Sequence, residues 1–167
     1  MLTLRPLQSL DEPDLVNSLN NPNVTRFLSS NIPQPYSSED ARWWVDTGCN
    51  IDTIVRAIEW DGSFCGTVGV YLQKNEYAHA AELGYWLDEA FWGRGIATQA
   101  VEAFINWLAI TTAITRIYNP VTSSNLASIR VMEKLGFVCE GRLRNSVTHN
   151  GAFFDELLFA KIVAPVD

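Results

Sequence analysis

Residues 82–100 read ELGYWLDEAFWGRGIATQA. An apolar strand at 83–87 enters a short acidic loop, Asp88-Glu89, and then meets a glycine turn, Gly93-Arg94-Gly95. Directly after the turn, Ile96, Ala97, Ala100, Val101, Phe104 and Leu108 recur at three- and four-residue steps, the period of a helix with one buried face. The glycine turn therefore opens a helix, predicted over 95–110. The opening N–H groups of such a helix have no partner within it and carry about half a positive charge. Two glycines let the backbone approach a bound group closely. Strand, glycine turn and helix start in this order make an anion site, most often one for phosphate.

Upstream the hydrophobic period is two. A strand at 54–60 and a return strand at 64–72 flank Asp61-Gly62, a strong hairpin signal, with Gly66 and Gly69 as points of weakness or bulging. A polar turn at Lys74-Asn75-Glu76 leads to a third strand at 80–87. Nearer the N-terminus, Leu2 and Leu4 begin a short strand, and Asp11 or Ser9 caps a helix over 12–19 with Pro13 in its first turn. Pro22 starts a brief helical turn. Pro33 and Pro35 make 31–36 a loop, and a helix from Ser37 to Val45 ends at Gly48. That helix carries Trp43 and Trp44, which fit either a core or a ligand wall.

Downstream, a strand at 114–121 follows a helical crossover and so lies parallel to the strand at 80–87. A second helix begins at Asn125, with Leu126, Ile129, Met132 and Leu135 on one face and Gly136 as its cap. Strands at 137–147 and 153–162 form a hairpin across Asn150-Gly151. The expectation is a single α/β (α+β) domain over residues 1–167, with a mixed, mostly antiparallel seven-stranded sheet flanked by helices.

A chain of 167 residues is long enough to bury a core, and 47% apolar with 19% charged residues is an ordinary globular balance. A formal charge of −7 argues against a general nucleic-acid surface, which needs a basic face. Cys49, Cys65 and Cys139 form no C-x-x-C pair and read as thiols in a reducing compartment. The opening MLTLRPLQ lacks the basic-then-apolar pattern of a signal peptide, and no apolar run is long enough to span a membrane. The expected setting is cytoplasmic.

Several phosphate and catalytic motifs are absent. No G-x-x-x-x-G-K-[ST] string occurs. A G-x-G-x-x-G fingerprint fails at Thr98, and the strands before the turn are antiparallel rather than parallel. His79 and His149 lack metal-ligand spacing, and no G-x-S-x-G elbow exists.

Trp92-Gly93-Arg94-Gly95-Ile96-Ala97 resembles the [QR]-x-x-G-x-[GA] loop of the GNAT N-acetyltransferases, and NLASIRVMEKLGF at 125–137 resembles that family's second signature. Together they look like the RimJ/RimL-type subgroup that acetylates ribosomal-protein N-termini. The order of elements matches that family along nearly the whole chain. The resemblance implies acetyl-CoA as acyl donor, with no metal, held where two parallel strands splay apart. Its diphosphate would lie on the N–H groups of Gly93, Arg94, Gly95, Ile96, Ala97 and Thr98. Its pantetheine arm would pair with the backbone of Tyr85, Trp86 and Leu87, and Asn125 would touch it. Trp92 stands where many relatives have Gln or Arg, which leaves the backbone donors to hold the phosphates.

Acetyl transfer needs a neutral amine, a held thioester carbonyl and a proton for the thiolate. Glu82, on one strand face with Trp86, is the candidate base; its other reading is a solvated or salt-bridged carboxylate. His79 reads as a structural or exposed residue, with the base as its other role. A strand N–H near Trp86 or Leu87 would meet the oxyanion. The tyrosine that serves many relatives as acid is Met132 here, so Ser128 becomes the candidate acid, although Asn125 and Ser128 also read as a helix cap and its first-turn partner. The expected reaction is acetyl transfer to a primary amine, plausibly a protein N-terminus. The alternatives are a polyamine or antibiotic amine as acceptor, or a non-catalytic acyl-CoA-binding module. A homo-oligomer stays open.

Overall fold

The computed structural model describes residues 1–163 and contains five α-helices and seven strands joined in one sheet of order β1-β2-β3-β4-β5-β7-β6. The strands are β1 (Leu2–Arg5), β2 (Thr53–Trp60), β3 (Ser63–Leu72), β4 (Ala80–Leu87), β5 (Arg116–Thr122), β6 (Val138–His149) and β7 (Ala152–Ile162). The helices are α1 (Glu12–Leu19), α2 (Pro22–Thr25), α3 (Ser38–Asp46), α4 (Ile96–Thr111) and α5 (Leu126–Lys134). The mixed, mostly antiparallel sheet flanked by helices is the expected α+β architecture. Its parallel pair is β4 with β5, recorded from Ala80↔Arg116 to Glu82↔Tyr118. The chain divides into two compact units, Met1–Tyr71 with Gly84–Phe104, and Leu72–Leu83 with the chain from Ile105 onward. The expected single domain over 1–167 includes residues 164–167, which lie outside the described ones.

In the first unit, β1 pairs antiparallel with β2, and β2 with β3. Asp61 and Gly62 both have positive φ, 50° and 82°, the backbone that a two-residue hairpin matched to strand twist demands. Cys65 is the extra residue of a bulge, because Ile58 pairs with Gly66 while Glu59 pairs with Phe64. Beneath the sheet, Leu15 and Leu19 of α1 meet Tyr36 and Ala41 and Val45 of α3, and Trp44, Phe64 and Trp86 pack against them. The tryptophan pair is thus split, for Trp44 joins this core and Trp43 is 56% exposed. Gly48 sits under both rings, where a Cβ would come within 2.6 Å of Trp43 and 2.7 Å of Trp44.

Asp11 does not cap α1 with its side chain. Its carboxylate accepts from the Gln8 N–H at 2.8 Å and takes both Arg5 guanidinium nitrogens, Nη1 at 2.8 Å and Nη2 at 2.7 Å. Arg5 Nε donates in turn to Glu59 at 2.7 Å. Asp11 is buried, so this fork replaces the water that the charge has lost.

In the second unit, β5 pairs antiparallel with β7, and β7 with β6, across Asn150 and Gly151 at φ 50° and 79°. Ile105, Leu108, Ile117, Val121, Met132 and Phe159 are buried there. The expected face of α5 needs one correction: Leu126 is 59% exposed, and Val131 is buried with Met132 and Leu135. Gly136, at φ +75°, ends the helix as expected, its N–H bonded to Glu133 and that of Phe137 to Met132.

β6 departs from regular pairing where Leu143 faces Glu156 but Val147 faces Phe154, which leaves residues 144–146 opposite Asp155 alone. The Asp155 carboxylate fills that break, accepting from Asn145 N–H at 2.9 Å and Arg142 Nε at 2.6 Å.

Candidate functional site

The glycine turn of the first unit is fastened on several sides. Asp88 donates its N–H to the Cys65 carbonyl at 2.8 Å, and its carboxylate accepts from Ala90 N–H at 2.9 Å and from Ser18 Oγ at 2.7 Å. The carboxylate of Glu89 takes Nδ2 of Asn21 at 2.7 Å and of Asn23 at 3.1 Å. Arg94 folds back so that Nη2 donates to the Ala90 carbonyl at 3.0 Å, with its guanidinium over the Phe91 ring. Trp92, 46% exposed, donates its indole N–H to the Leu87 carbonyl at 2.9 Å.

Gly93 and Gly95 both sit at φ +72°, and a Cβ built on either meets nothing within 4 Å. Apart from the immediate chain neighbours, the space a side chain would fill at these two positions is open. The Gly95 carbonyl accepts from Gln99 N–H at 3.2 Å, the first bond of α4, so the helix begins directly after the turn. Ile96 and Ala100 are buried and hold this end of α4 in place. A glycine turn that runs directly into a helix is the backbone arrangement in which anion-binding helix starts are found.

The end of β4 alternates in the direction of its backbone groups. The Trp86 carbonyl faces β3, where a Cβ on Gly66 would lie 2.1 Å from it, and the Asp88 N–H is likewise bonded to β3. Successive residues of a strand point their N–H and C=O to opposite edges. Tyr85 and Leu87 thus direct theirs away from β3. Of residues 85–87, Trp86 offers its backbone to β3, and its side chain packs edge-on to Phe64 with ring centroids 6.1 Å apart.

In the second unit, the register places Glu82 beside Tyr118 and Thr122 beside Glu156. Side chains two apart on a strand share a face, so Glu82, Tyr118, Thr122 and Glu156 line one face. Burial, then the neighbouring Glu156 carboxylate, push the Glu82 carboxyl above its ordinary range. Burial, then Glu82, also push the Tyr118 hydroxyl up. Ser146, carried by the break in β6, donates its hydroxyl to Glu156 at 2.8 Å, and His149 Nε2 lies 3.2 Å from Thr122 Oγ1. Among the described residues, neither Glu82 nor Glu156 is ion-paired with Lys or Arg. His79 is exposed ahead of β4, where its carbonyl accepts from Thr115 N–H at 2.9 Å.

Asn125 precedes α5, and its side-chain oxygen accepts the backbone N–H of Ser128 at 3.3 Å. This is the capping arrangement expected of the pair. Met132 is fully buried, with Asn119 Nδ2 3.7 Å from its sulfur, and so belongs to the core. Sequence reasoning missed Tyr118, Ser146 and Glu156. A strand register would have found Tyr118, but Ser146 reaches Glu156 only through an irregular β6. Among the described residues, no group of His, Cys, Asp and Glu could hold a metal ion, and no helix is long and apolar enough to cross a membrane.

Comparison with known proteins agrees with this architecture. Residues 1–138 match the model of the acetyltransferase (GNAT) domain. The chain is 36% identical over 107 residues to the probable N-acetyltransferase YjcK of Bacillus subtilis, covering 64% of this chain and 59% of that protein. It is 37% identical over 83 residues to the ribosomal-protein-serine acetyltransferase of Escherichia coli, covering 50% of this chain and 46% of that one. These matches span about half of each relative's length or slightly more. Among solved structures, RimL, a ribosomal L7/L12 α-N-protein acetyltransferase in complex with coenzyme A, superposes with a TM-score of 0.88 at 25% identity, covering 99% of this chain and 96% of that one. The microcin C7 self-immunity acetyltransferase MccE, solved with acetyl-CoA and AMP, shares the fold with a TM-score of 0.84 at 21% identity, covering 97% of this chain and 92% of that one. With the family model matching most of its length, this chain belongs to the GNAT acetyltransferase family.

Proposed function

We propose that this protein transfers the acetyl group of acetyl-CoA to a primary amine, with a protein N-terminus as the acceptor class. The observation that carries the reading is the uncovered glycine turn at the start of α4, Gly93 and Gly95 at φ +72°, in a chain of this family. The N–H groups of residues 93–98 hold the diphosphate, favoured by the helix dipole. Tyr85 offers its outward backbone groups to the peptide-like pantetheine arm, and Asn125 contacts it. The likeness to RimL and to the E. coli enzyme supports a ribosomal-protein N-terminus among the candidate acceptors.

Acetyl-CoA, when bound, supplies an activated acyl carbon and a thiolate leaving group. Glu82 takes a proton from the acceptor ammonium and leaves a neutral nitrogen. A carboxyl already pushed up by burial and Glu156 is a stronger base than an ordinary one. The outward N–H of Leu87 meets the oxyanion as the C–N bond forms. Ser128 gives its hydroxyl proton to the sulfur as the C–S bond breaks, and recovers one from the reacting nitrogen.

Thiol release from acetyl-CoA, followed with a panel of amines, tests the reading. Peptides with free N-termini are expected to be acetylated, whereas acetylation of polyamines or aminoglycosides alone would reassign the acceptor. Retention of CoA with no acetylation of any amine would point to a binding module.

Ser128→Ala separates the two readings of that residue. The Asn125 cap uses the backbone N–H of Ser128, which alanine retains. The variant is expected to keep its KM for acetyl-CoA while kcat falls about 10- to 100-fold. An unchanged kcat would leave Ser128 as part of the cap only.

A further inference from the structure

β4 ends at Leu87, and the carbonyl there is already engaged. Its partner is the Trp92 indole N–H at 2.9 Å, which closes the loop from Leu87 to Trp92 immediately before the glycine turn. By the alternation of β4, this carbonyl points away from β3, toward the edge along which an extended ligand would lie. Nearly half of the Trp92 side chain is exposed, so the ring is not held by burial alone. The indole bond thus fixes two things at once: the last carbonyl of the strand edge and the residue that opens the turn.

We propose that Trp92 is a positioning residue that sets the spacing between the β4 edge and the glycine turn, so that one ligand can engage both. The proposal rests on the acetyl-CoA reading. A ligand with an amide-rich arm and a diphosphate gains from a rigid spacing, because its second half then binds at high effective concentration. A ligand with only one half gains nothing from it. Trp92 therefore acts through Leu87 and Gly93 and need not touch the reacting atoms.

Trp92→Phe removes the donor and keeps an aromatic ring. Affinity for CoA, for phosphoadenosine diphosphate (its nucleotide half) and for pantetheine would be measured by calorimetry on the variant and the parent. CoA is expected to bind about tenfold more weakly, the value of one lost hydrogen bond, with each half unchanged and kcat within about twofold. Trp92→His, which retains a ring N–H, is expected to recover part of the CoA affinity. Equal weakening of CoA and both halves together with a lower melting temperature would overturn the proposal in favour of a purely structural ring. Unchanged CoA affinity would overturn it as well. Failure of the parent protein to bind CoA would instead defeat the acetyl-CoA reading, so the two failures are distinct.

Discussion

Glu82→Gln is expected to lower kcat about 10²- to 10⁴-fold, the range for loss of a general base, with little change in KM for acetyl-CoA. Glutamine keeps the size and one acceptor oxygen of the carboxyl but takes up no proton. In the parent protein, kcat/KM should fall as pH drops through the Glu82 value, which burial and Glu156 place above the ordinary carboxylate range. Glu156→Gln removes one cause of that shift and should move the acidic limb to lower pH. Stability runs the other way. A carboxyl whose folded value is raised contributes stability that is fully present below its unfolded value and lost as pH rises through the folded one. Near pH 8, about where such an enzyme is assayed, ionised Glu82 therefore opposes folding. Glu82→Gln should melt higher than the parent there and lose that advantage near pH 4, about the unfolded value. Steady-state kinetics with calorimetric melting at both pH values checks the pair, and an unchanged kcat would remove Glu82 from the chemistry. The combination of lost activity and gained stability is what a strained functional carboxylate produces and a solvated one does not.

Arg5→Met should be the most destabilising of the substitutions considered, at about 3–5 kcal/mol. Asp11 is 2% exposed, and the Arg5 fork supplies its only ion pair among the described residues. Methionine fills much of the volume but leaves a buried carboxylate uncompensated. For a domain of this size the melting temperature should drop by about 10 °C or more. Adding Asp11→Asn removes the stranded charge while retaining an oxygen for the Gln8 N–H, and should recover a large share of the loss. Urea denaturation of the two single variants and the double variant measures the coupling directly. If the losses of the two single variants simply add up to that of the double variant, Arg5 and Asp11 do not act as a unit.

The path from β4 through the turn into α4 was legible because each part has its own local rule. Alternation gave the strand, the two glycines gave positive φ, and recurrent apolar residues from Ile96 to Leu108 gave the helix. Both two-residue hairpins were legible for the same reason, since Asp61-Gly62 and Asn150-Gly151 state their backbone in the sequence. The features that escaped depend on partners far along the chain. Asp11 sits where a helix cap belongs, and only the return of β2 beside β1 surrounds Arg5 with two carboxylates. The break at 144–146 carries no glycine, and Asn145 adopts φ 51° there with Asp155 beside it. Of the candidate site, the glycine turn and Glu82 could be read from sequence. Glu156 could not, because its nearness to Glu82 depends on the strand order β4-β5-β7 rather than on any motif.

The break in β6 also bears on self-association. β6 is the longest strand and closes one side of the sheet order, so its outer backbone could serve as a template for a second chain. It is interrupted near Glu140 and again at 144–146, and it carries Glu140, Arg142 and Arg144 on exposed positions. A flat strand cannot lie along such an edge without meeting a kink or a charge every few residues. Two copies that met edge to edge here would lose register within a turn or two of pairing, and the same irregularity that brings Ser146 to Glu156 protects this side of the sheet from growing into a fibre.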